Sequence, residues 1–186
     1  MNYYGAKEIA EAFRTVRKNI LVIAEEVSEE NYNFSAIPGT RTIAQTLIHI
    51  ANVTKMPEAI HKDQKLNDLG SFNFFALLGP LVAEEQKPYT KAEIISMLKQ
   101  NGDKFAGWLE TLSDEFLGEV VTYPAGMTPP TKTRFEMLLG AKEHEMHHRG
   151  QLMVLQRLVG VTPHLTRAMQ ERMASMMAQQ SQQASA

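Results

Sequence analysis

A run of histidines in the last third of this sequence is the feature most suited to a chemical function. His144, His147 and His148 are three of the six histidines in the 186-residue chain. On a helix, His144 and His148 project from one face, one turn apart. Both fall in an apolar stripe, where an unpaired imidazole costs free energy that metal binding offsets. We therefore predict a metal site that includes His144 and His148.

Such a site needs a third protein ligand, and the chain has no cysteine to supply one. The candidates are a carboxylate and the remaining histidines, His49, His61, His147 and His164. His147 points off the face shared by the first pair. His61 and His164 are near predicted helix ends, where histidines are commonly solvated. His49 is in the middle of a predicted helix, on its apolar stripe, and is our prediction for the third ligand.

Three imidazoles leave coordination positions open for water or substrate, as in catalytic metal sites. Imidazole suits zinc, nickel and iron, so the sequence predicts one divalent ion without selecting among these three. The ion would act as a Lewis acid and lower the pKa of a bound water, alcohol or thiol. Gln45, Asn101 and Gln151 are polar residues on or near the same stripes. Each would orient a ligand of the metal or, alternatively, form a hydrogen bond across the protein core.

Four segments show the hydrophobic spacing of bundle helices. They cover about residues 5–29, 42–60, 90–112 and 133–158. The last three begin at Thr42, Thr90 and Thr133, each followed three residues later by Gln or Glu, as in a capping box. Pro57 predicts a kink or an early end of the second helix. Because no segment alternates like a strand, we predict an all-α four-helix bundle.

The connections between these helices differ in length. Residues 63–89 are expected to contain a short helix at about 74–85, and a crossover this long favours a topology other than simple up-down-up-down. Its apolar stretch, Phe72 to Val82, is expected to wall an open metal site at one end of the bundle. Residues 113–132 are rich in proline and predict an irregular loop over one bundle end.

The chain is predicted to divide into a bundle domain, residues 1–165, and a tail, residues 166–186. Four methionines of the tail, Met169, Met173, Met176 and Met177, have helical spacing and precede a run of Gln, Ser and Ala. One interpretation is a helix that packs on its own domain and becomes disordered by Gln179. The other is a subunit contact, because exposed methionine stripes suit adaptable interfaces.

Composition excludes several classes of function. A net charge of -2 and the lack of a basic stripe argue against a nucleic-acid partner. No stretch approaches the ~18 unbroken apolar residues of a membrane span, and the N-terminus lacks the pattern of a signal peptide. We expect a soluble, cytoplasmic protein.

Two stretches of the sequence resemble the DinB-like (DinB/YfiT) family of metal-binding four-helix-bundle proteins. They are Thr46–Ala51, which contains His49, and His144–Gln151; supporting context lies at residues 84–93 and 158–163. The resemblance spans about residues 5–165. It implies an up-down-down-up bundle, often a homodimer, and a metal site at His49, His144 and His148. Members of this superfamily include transferases that use low-molecular-weight thiols, in which the metal activates the thiolate.

Our leading interpretation is a metal-dependent enzyme of small-molecule chemistry, such as transfer of a thiol to an electrophile. The main alternative is a non-catalytic metal-binding bundle, acting in stress or sensing. A cavity beside the metal site would favour catalysis, and a closed coordination sphere would favour the alternative. A third interpretation is a zinc-dependent hydrolase or metalloprotease that uses His144-Glu145-x-x-His148, with Glu145 as general base. It is the weakest, because the wider sequence context of such proteases is missing.

Overall fold

The structure, a computed structural model, describes residues 4–184 and is mainly helical. Its elements are α1 (Ala6–Glu26), α2 (Ile43–Asn52), α3 (Lys55–Pro57), α4 (Phe74–Glu84), α5 (Lys91–Leu109), α6 (Asp114–Gly118), β1 (Val120–Thr122), β2 (Thr131–Thr133), α7 (Arg134–Leu158) and α8 (His164–Ala184). A 3₁₀ turn, Glu29–Asn31, follows α1, and a π-helical segment, Glu58–Asp63, follows α3. Within residues 4–184, no helix is both long and apolar enough to cross a membrane.

Helices α1, α2, α5 and α7 form an up-down-down-up bundle, which confirms the predicted fold. Helix α1 packs against α5 and α7, and α2 packs against the same two helices. One apolar cluster joins the end of α1 to the starts of α2 and α5 and to the end of α7. A second cluster joins the start of α1 to the end of α5 and the start of α7. Hence α1 and α7 run in one direction, and α2 and α5 run in the other.

The predicted starts of the later helices are confirmed. At Thr42, Thr90 and Thr133 the hydroxyl accepts a hydrogen bond from the backbone N–H three residues later, and a side chain at that position accepts one in return. These capping boxes satisfy backbone groups that a helix start otherwise leaves unpaired. Helix α2 ends at Asn52, before Pro57. A proline ring clashes with the carbonyl four residues earlier, here that of Val53, which explains the break.

The long crossover contains α4 close to where it was predicted, and α4 packs against α2. The prediction of an irregular loop at residues 113–132 was wrong at both ends of that segment, where α6, β1 and β2 lie. The two strands pair antiparallel, with Val121 opposite Lys132. The side chain of Val121 is fully buried in a small apolar cluster with Ile60 and Leu69. The prolines, Pro124, Pro129 and Pro130, lie between the two strands and do not interrupt either of them.

Helix α8 begins on the bundle and then leaves it. Near its start, Arg167 forms an ion pair with Glu26 of α1. From Ala168 to Gln183 every side chain is exposed, including those of the four methionines. The helix continues to Ala184, so disorder from Gln179 was not a correct expectation, and residues 185 and 186 of the predicted tail lie outside the described part. The domain boundary at residue 165 stays a prediction.

Candidate metal centre

Three imidazoles meet where α2 faces α7. His49 comes from the middle of α2, and His144 and His148 come from successive turns of α7. The Nε2 atoms of His49 and His144 are 3.3 Å apart, and the Nε2 atoms of His144 and His148 are 3.2 Å apart. Imidazole nitrogens around a tetrahedral ion, at about 2.0–2.1 Å from it, are separated by roughly 3.3 Å. The spacing therefore fits a shared divalent ion.

The orientation of His49 is fixed by Glu85, the residue that follows α4. His49 Nδ1 lies 2.7 Å from Glu85 Oε1, and Arg41 Nε donates to Glu85 Oε2 at 2.6 Å. The Glu85 side chain is only 4% exposed. An ionised carboxylate can only accept hydrogen bonds, so His49 carries its proton on Nδ1. Its Nε2 lone pair then faces the other two rings, as in the carboxylate–histidine pairs of metal sites.

His148 is oriented by Gln151, one turn further along α7. His148 Nδ1 lies 2.7 Å from Gln151 Oε1, while Gln151 Nε2 lies 3.0 Å from Nε2 of the exposed His147. Since the amide nitrogen of Gln151 donates to His147, its oxygen accepts from His148. His148 therefore also directs an Nε2 lone pair into the cluster. The Nδ1 atom of His144 is buried and has no hydrogen-bond partner within residues 4–184.

The charge states of His144 and His148 suit the binding of a cation. Burial lowers the pKa of His144 to about 4, and the neighbouring imidazoles lower it further in the same direction. Burial likewise lowers the pKa of His148 to about 4, against the opposing effect of the hydrogen bond that His148 donates to Gln151. Both rings are consequently neutral at pH 7. Metal binding at neutral pH would not require them to release protons.

A cavity of about 220 Å³ opens beside the histidines. Its lining residues are His49, Asn52, Val53, Met56, Leu78, Leu81, Val82, Glu85 and His144. The α4 residues among them are the expected apolar wall. Phe72 and Phe74, by contrast, pack in the small cluster around Ile60 and Val121. The candidate ion site thus adjoins a mostly apolar cavity.

Two of the three polar residues predicted to support the ligands bond elsewhere. The Gln45 side chain caps α2 through the backbone N–H of Thr42 and donates to Gln86 at 2.9 Å. Asn101 donates to the backbone carbonyl of Ala51 at 2.9 Å, which is the alternative hydrogen bond across the core. Gln151 bonds to His148 as described. For Gln45 and Asn101 these contacts fit the alternative role, a hydrogen bond within the protein, because stripe position alone does not determine side-chain direction.

Glu145 is not available as a general base. It is fully buried, and its carboxylate accepts two hydrogen bonds from Arg17, one of them from Nε at 3.1 Å. Arg17 also donates to the backbone carbonyls of Leu98 and Ile50. This pair occupies the centre of the bundle, on a different face of α7 from the histidine cluster. The role of Glu145 in a protease-like mechanism was a wrong expectation.

The expectation of a solvated His61 was also wrong. Its side chain is 1% exposed, and Arg134 Nη1 donates to its Nδ1 at 2.9 Å. Burial first, and the Arg134 charge second, lower its pKa to about 4. His164 is half-buried, and its Nε2 atom lies 3.2 Å from Asn19 Oδ1. Neither side chain belongs to the three-histidine cluster.

The sequence reasoning missed Glu85 as a partner of the cluster. Glu84 and Glu85 were part of the resemblance only as context. One signal was present: Glu85 directly follows a helix, where the negative end of the helix dipole disfavours a carboxylate. Two cationic or hydrogen-donating partners, Arg41 and His49, offset that cost in the folded chain.

Comparisons with known proteins agree with this architecture. The model of the DinB family matches residues 1–183. Among curated proteins, no sequence matches the chain. A DinB-like protein from Bacillus subtilis, YjoA, is 21% identical with a TM-score of 0.60, over 83% of this chain and 93% of that one.

Two further solved structures have the same fold. YfiT from Bacillus subtilis, described as a probable metal-dependent hydrolase with an unusual four-helix bundle topology, is 15% identical. Its TM-score is 0.65, over 87% of this chain and 91% of that one. An uncharacterised protein from Clostridium difficile 630 is 14% identical with a TM-score of 0.65, over 86% of this chain and 99% of that one. At these identities the similarities establish the fold.

Proposed function

The chain belongs to the DinB family, and on this premise we propose that it is a divalent-metal-dependent enzyme acting on a small, mostly apolar molecule. One observation carries the proposal: three imidazoles converge beside a mostly apolar cavity. A non-catalytic metal store or sensor would have no need for a cavity at its ion. The adjoining space favours catalysis over that alternative.

His49, His144 and His148 would hold the ion. Glu85 and Gln151 would keep His49 and His148 in the tautomer that presents Nε2. When bound, a divalent ion supplies Lewis acidity and lowers the pKa of a coordinated thiol or water. Zinc, nickel and iron are all compatible with three imidazoles.

We favour transfer of a low-molecular-weight thiol to an electrophile as the reaction. The thiol sulfur forms a bond to an electrophilic carbon, the leaving group departs from that carbon with its electron pair, and the thiol proton passes to solvent. The chain's contribution is an apolar surface, formed by Leu78, Leu81 and Val82, on which the electrophile would lie beside the ion. Glu85, the carboxylate of the cavity wall, is already bonded to His49 and Arg41. This arrangement suits a nucleophile that is activated without a free general base.

Hydrolysis is the second candidate, and the description of YfiT as a probable metal-dependent hydrolase favours it. The same donor set would serve a coordinated water as nucleophile. The two reactions differ in what they consume, since hydrolysis needs no thiol.

The test uses protein stripped with a chelator and then reloaded with zinc, nickel or iron. One assay follows 1-chloro-2,4-dinitrobenzene with a panel of small thiols, and the other follows a p-nitrophenyl ester without thiol. Thiol-dependent product that appears only in reloaded protein supports transfer, and ester cleavage in reloaded protein supports hydrolysis. Equal background rates in reloaded and stripped protein, in both assays, would contradict an enzymatic role.

A homodimer and a cytoplasmic location stay predictions. The exposed methionine face of α8 supports a subunit contact. Light scattering on the purified protein would measure its mass in solution, and a mass of one chain would contradict the dimer.

A further inference from the structure

Asn52 lies in the wall of the cavity beside the candidate metal centre. It follows His49 by three residues on α2, so both side chains project from one face of the helix, about 4.5 Å apart along its axis. The Asn52 side chain is 2% exposed. Neither its Oδ1 nor its Nδ2 atom has a hydrogen-bond partner within residues 4–184. Buried amides without partners are rare, because the lost hydrogen bonds with water are not replaced.

The surroundings of Asn52 explain why this amide is unpaired. Five of the lining residues are apolar: Val53, Met56, Leu78, Leu81 and Val82. The carboxylate in the wall, Glu85, is bonded to His49 and Arg41. Asn52 therefore places an unpaired N–H donor and an unpaired carbonyl acceptor, both almost fully covered by neighbouring atoms, in the wall of a mostly apolar space.

We infer that Asn52 recognises the substrate, and that the substrate carries a carboxamide, or another donor beside an acceptor, on a small apolar body. This inference rests on the proposed function. A carboxamide would pair with Asn52 through two N–H···O hydrogen bonds, one in each direction. The cavity of about 220 Å³ has room for a small molecule of roughly seven water-sized groups of about 30 Å³ each.

Recognition by a buried polar group has a characteristic consequence. A site that forms hydrogen bonds with a ligand rejects the analogue that lacks those groups, because the site's own polar atoms are then left unpaired. Asn52 would thus act as a specificity residue, separate from the three histidines that would hold the ion. It neither donates to them nor accepts from them in the described hydrogen bonds.

The test compares two probes that share a ring, benzamide and toluene, on zinc-loaded wild-type protein and on Asn52→Leu. Leucine keeps the shape of asparagine and removes both polar atoms. Wild-type protein is expected to bind benzamide more tightly than toluene. In Asn52→Leu, benzamide should bind at least about tenfold more weakly, the equivalent of one lost hydrogen bond, and toluene as well or better. Titration followed by NMR shifts gives both affinities.

An unchanged ratio of benzamide to toluene affinity in Asn52→Leu would overturn the inference, as would a wild-type protein that does not distinguish the probes. Either result would mean that Asn52 faces ordered water only. Thermal stability is the second measurement. Because leucine leaves no unpaired polar atom, Asn52→Leu is expected to melt at a higher temperature than wild type. A lower melting temperature would indicate a structural role and contradict the inference.

Asn101→Leu is the matched control. Asn101 is half-buried, but its amide donates to the backbone carbonyl of Ala51. Its loss should lower the melting temperature and leave the ratio of the two affinities unchanged. The same titrations on metal-free protein separate this inference from the proposed function. If the protein takes up no metal but Asn52 still distinguishes benzamide from toluene, the recognition site is supported and the proposed enzymatic function is contradicted. If the protein takes up metal but does not distinguish the two probes, the metal site is supported and the role of Asn52 is contradicted.

Discussion

The guanidinium of Arg17 and the carboxylate of Glu145 form a buried ion pair between α1 and α7. Arg17 is 4% exposed and Glu145 is fully buried. Arg17 also binds carbonyls of α2 and α5, so one side chain links all four bundle helices. Glu145 lies directly after His144 in sequence, and the pairing determines which way the helix faces. The histidines are thereby turned toward α2 and the cavity.

Glu145→Gln tests this structural role. The substitution leaves the charge of Arg17 buried without its counter-ion, so we expect a loss of about 3–5 kcal/mol in the free energy of unfolding. Metal content per folded molecule should not change. Urea unfolding and elemental analysis measure the two effects. Glu143→Gln, at an exposed neighbouring position, should alter neither. Full stability with loss of activity would instead restore Glu145 as a general base.

Removing one imidazole at a time tests the metal site. We expect His49→Ala, His144→Ala and His148→Ala each to abolish stoichiometric metal, because two remaining imidazoles bind a divalent ion weakly. His147→Ala should retain metal, since His147 is exposed and, although it bonds Gln151 and lies beside the His148 ring, it is not one of the three clustered ligands. Elemental analysis of the purified variants decides the matter. Full retention of metal in the first three variants would refute the site.

Glu85→Gln tests the support of His49. The amide removes the negative charge that fixes the His49 tautomer and pairs with Arg41, so metal affinity should fall about 10–100-fold. Competition with a chelator of known affinity measures the change. Glu84→Gln is the control, because Glu84 bonds Lys87 and Tyr89 and not the cluster. Equal affinity in the two variants would show that Glu85 does not support the metal.

Two glycines of α5 give opposite predictions for stability. A Cβ atom at Gly102 would lie 2.9 Å from both Cγ and Nη1 of Arg17, whose guanidinium is held by four hydrogen bonds. We therefore expect Gly102→Ala to destabilise the protein by about 1–3 kcal/mol. A Cβ atom at Gly107 would meet nothing within 4 Å. Gly107→Ala should stabilise by about 0.5–1 kcal/mol, through helix propensity. Chemical denaturation measures the change in the free energy of unfolding of both variants. A Gly102→Ala protein that is stabilised, like Gly107→Ala, would contradict the assigned role of Gly102.

The buried His61 predicts a pH effect on stability. Its pKa is about 4 in the folded protein, lowered by burial and by Arg134, and near 6.5 in an unfolded chain. Between these values the unfolded chain binds a proton that the folded chain excludes. Stability is therefore lost as the pH falls from 6.5 toward 4, by roughly 3 kcal/mol at most.

His61→Gln should remove that part of the pH dependence. Glutamine can still accept the hydrogen bond from Arg134, and it does not titrate. The free energy of unfolding, measured between pH 7 and 4, should fall more steeply with decreasing pH in wild type than in the variant. Parallel curves would show that His61 does not contribute. The other histidines titrate alike in both proteins, so the difference isolates His61.

The four-helix bundle and the starts of its later helices follow from local sequence patterns. Capping boxes at Thr42, Thr90 and Thr133, the stripe that carries His144 and His148, and the break near Pro57 are local features, and local steric and hydrogen-bonding rules govern them. The pairing of His49 with the α7 histidines also followed, because bundle helices must face one another with their apolar stripes.

The polar side chains that support the site, by contrast, depend on how the helices pack in the folded chain. Glu85 and Arg41 reach His49 across the crossover, Glu145 turns away to Arg17, and Asn52 is left unpaired in the cavity wall. These outcomes depend on distances between segments far apart in the chain and on side-chain directions within a turn. Helical periodicity assigns a residue to a face, but the partner across that face is set by how the helices pack.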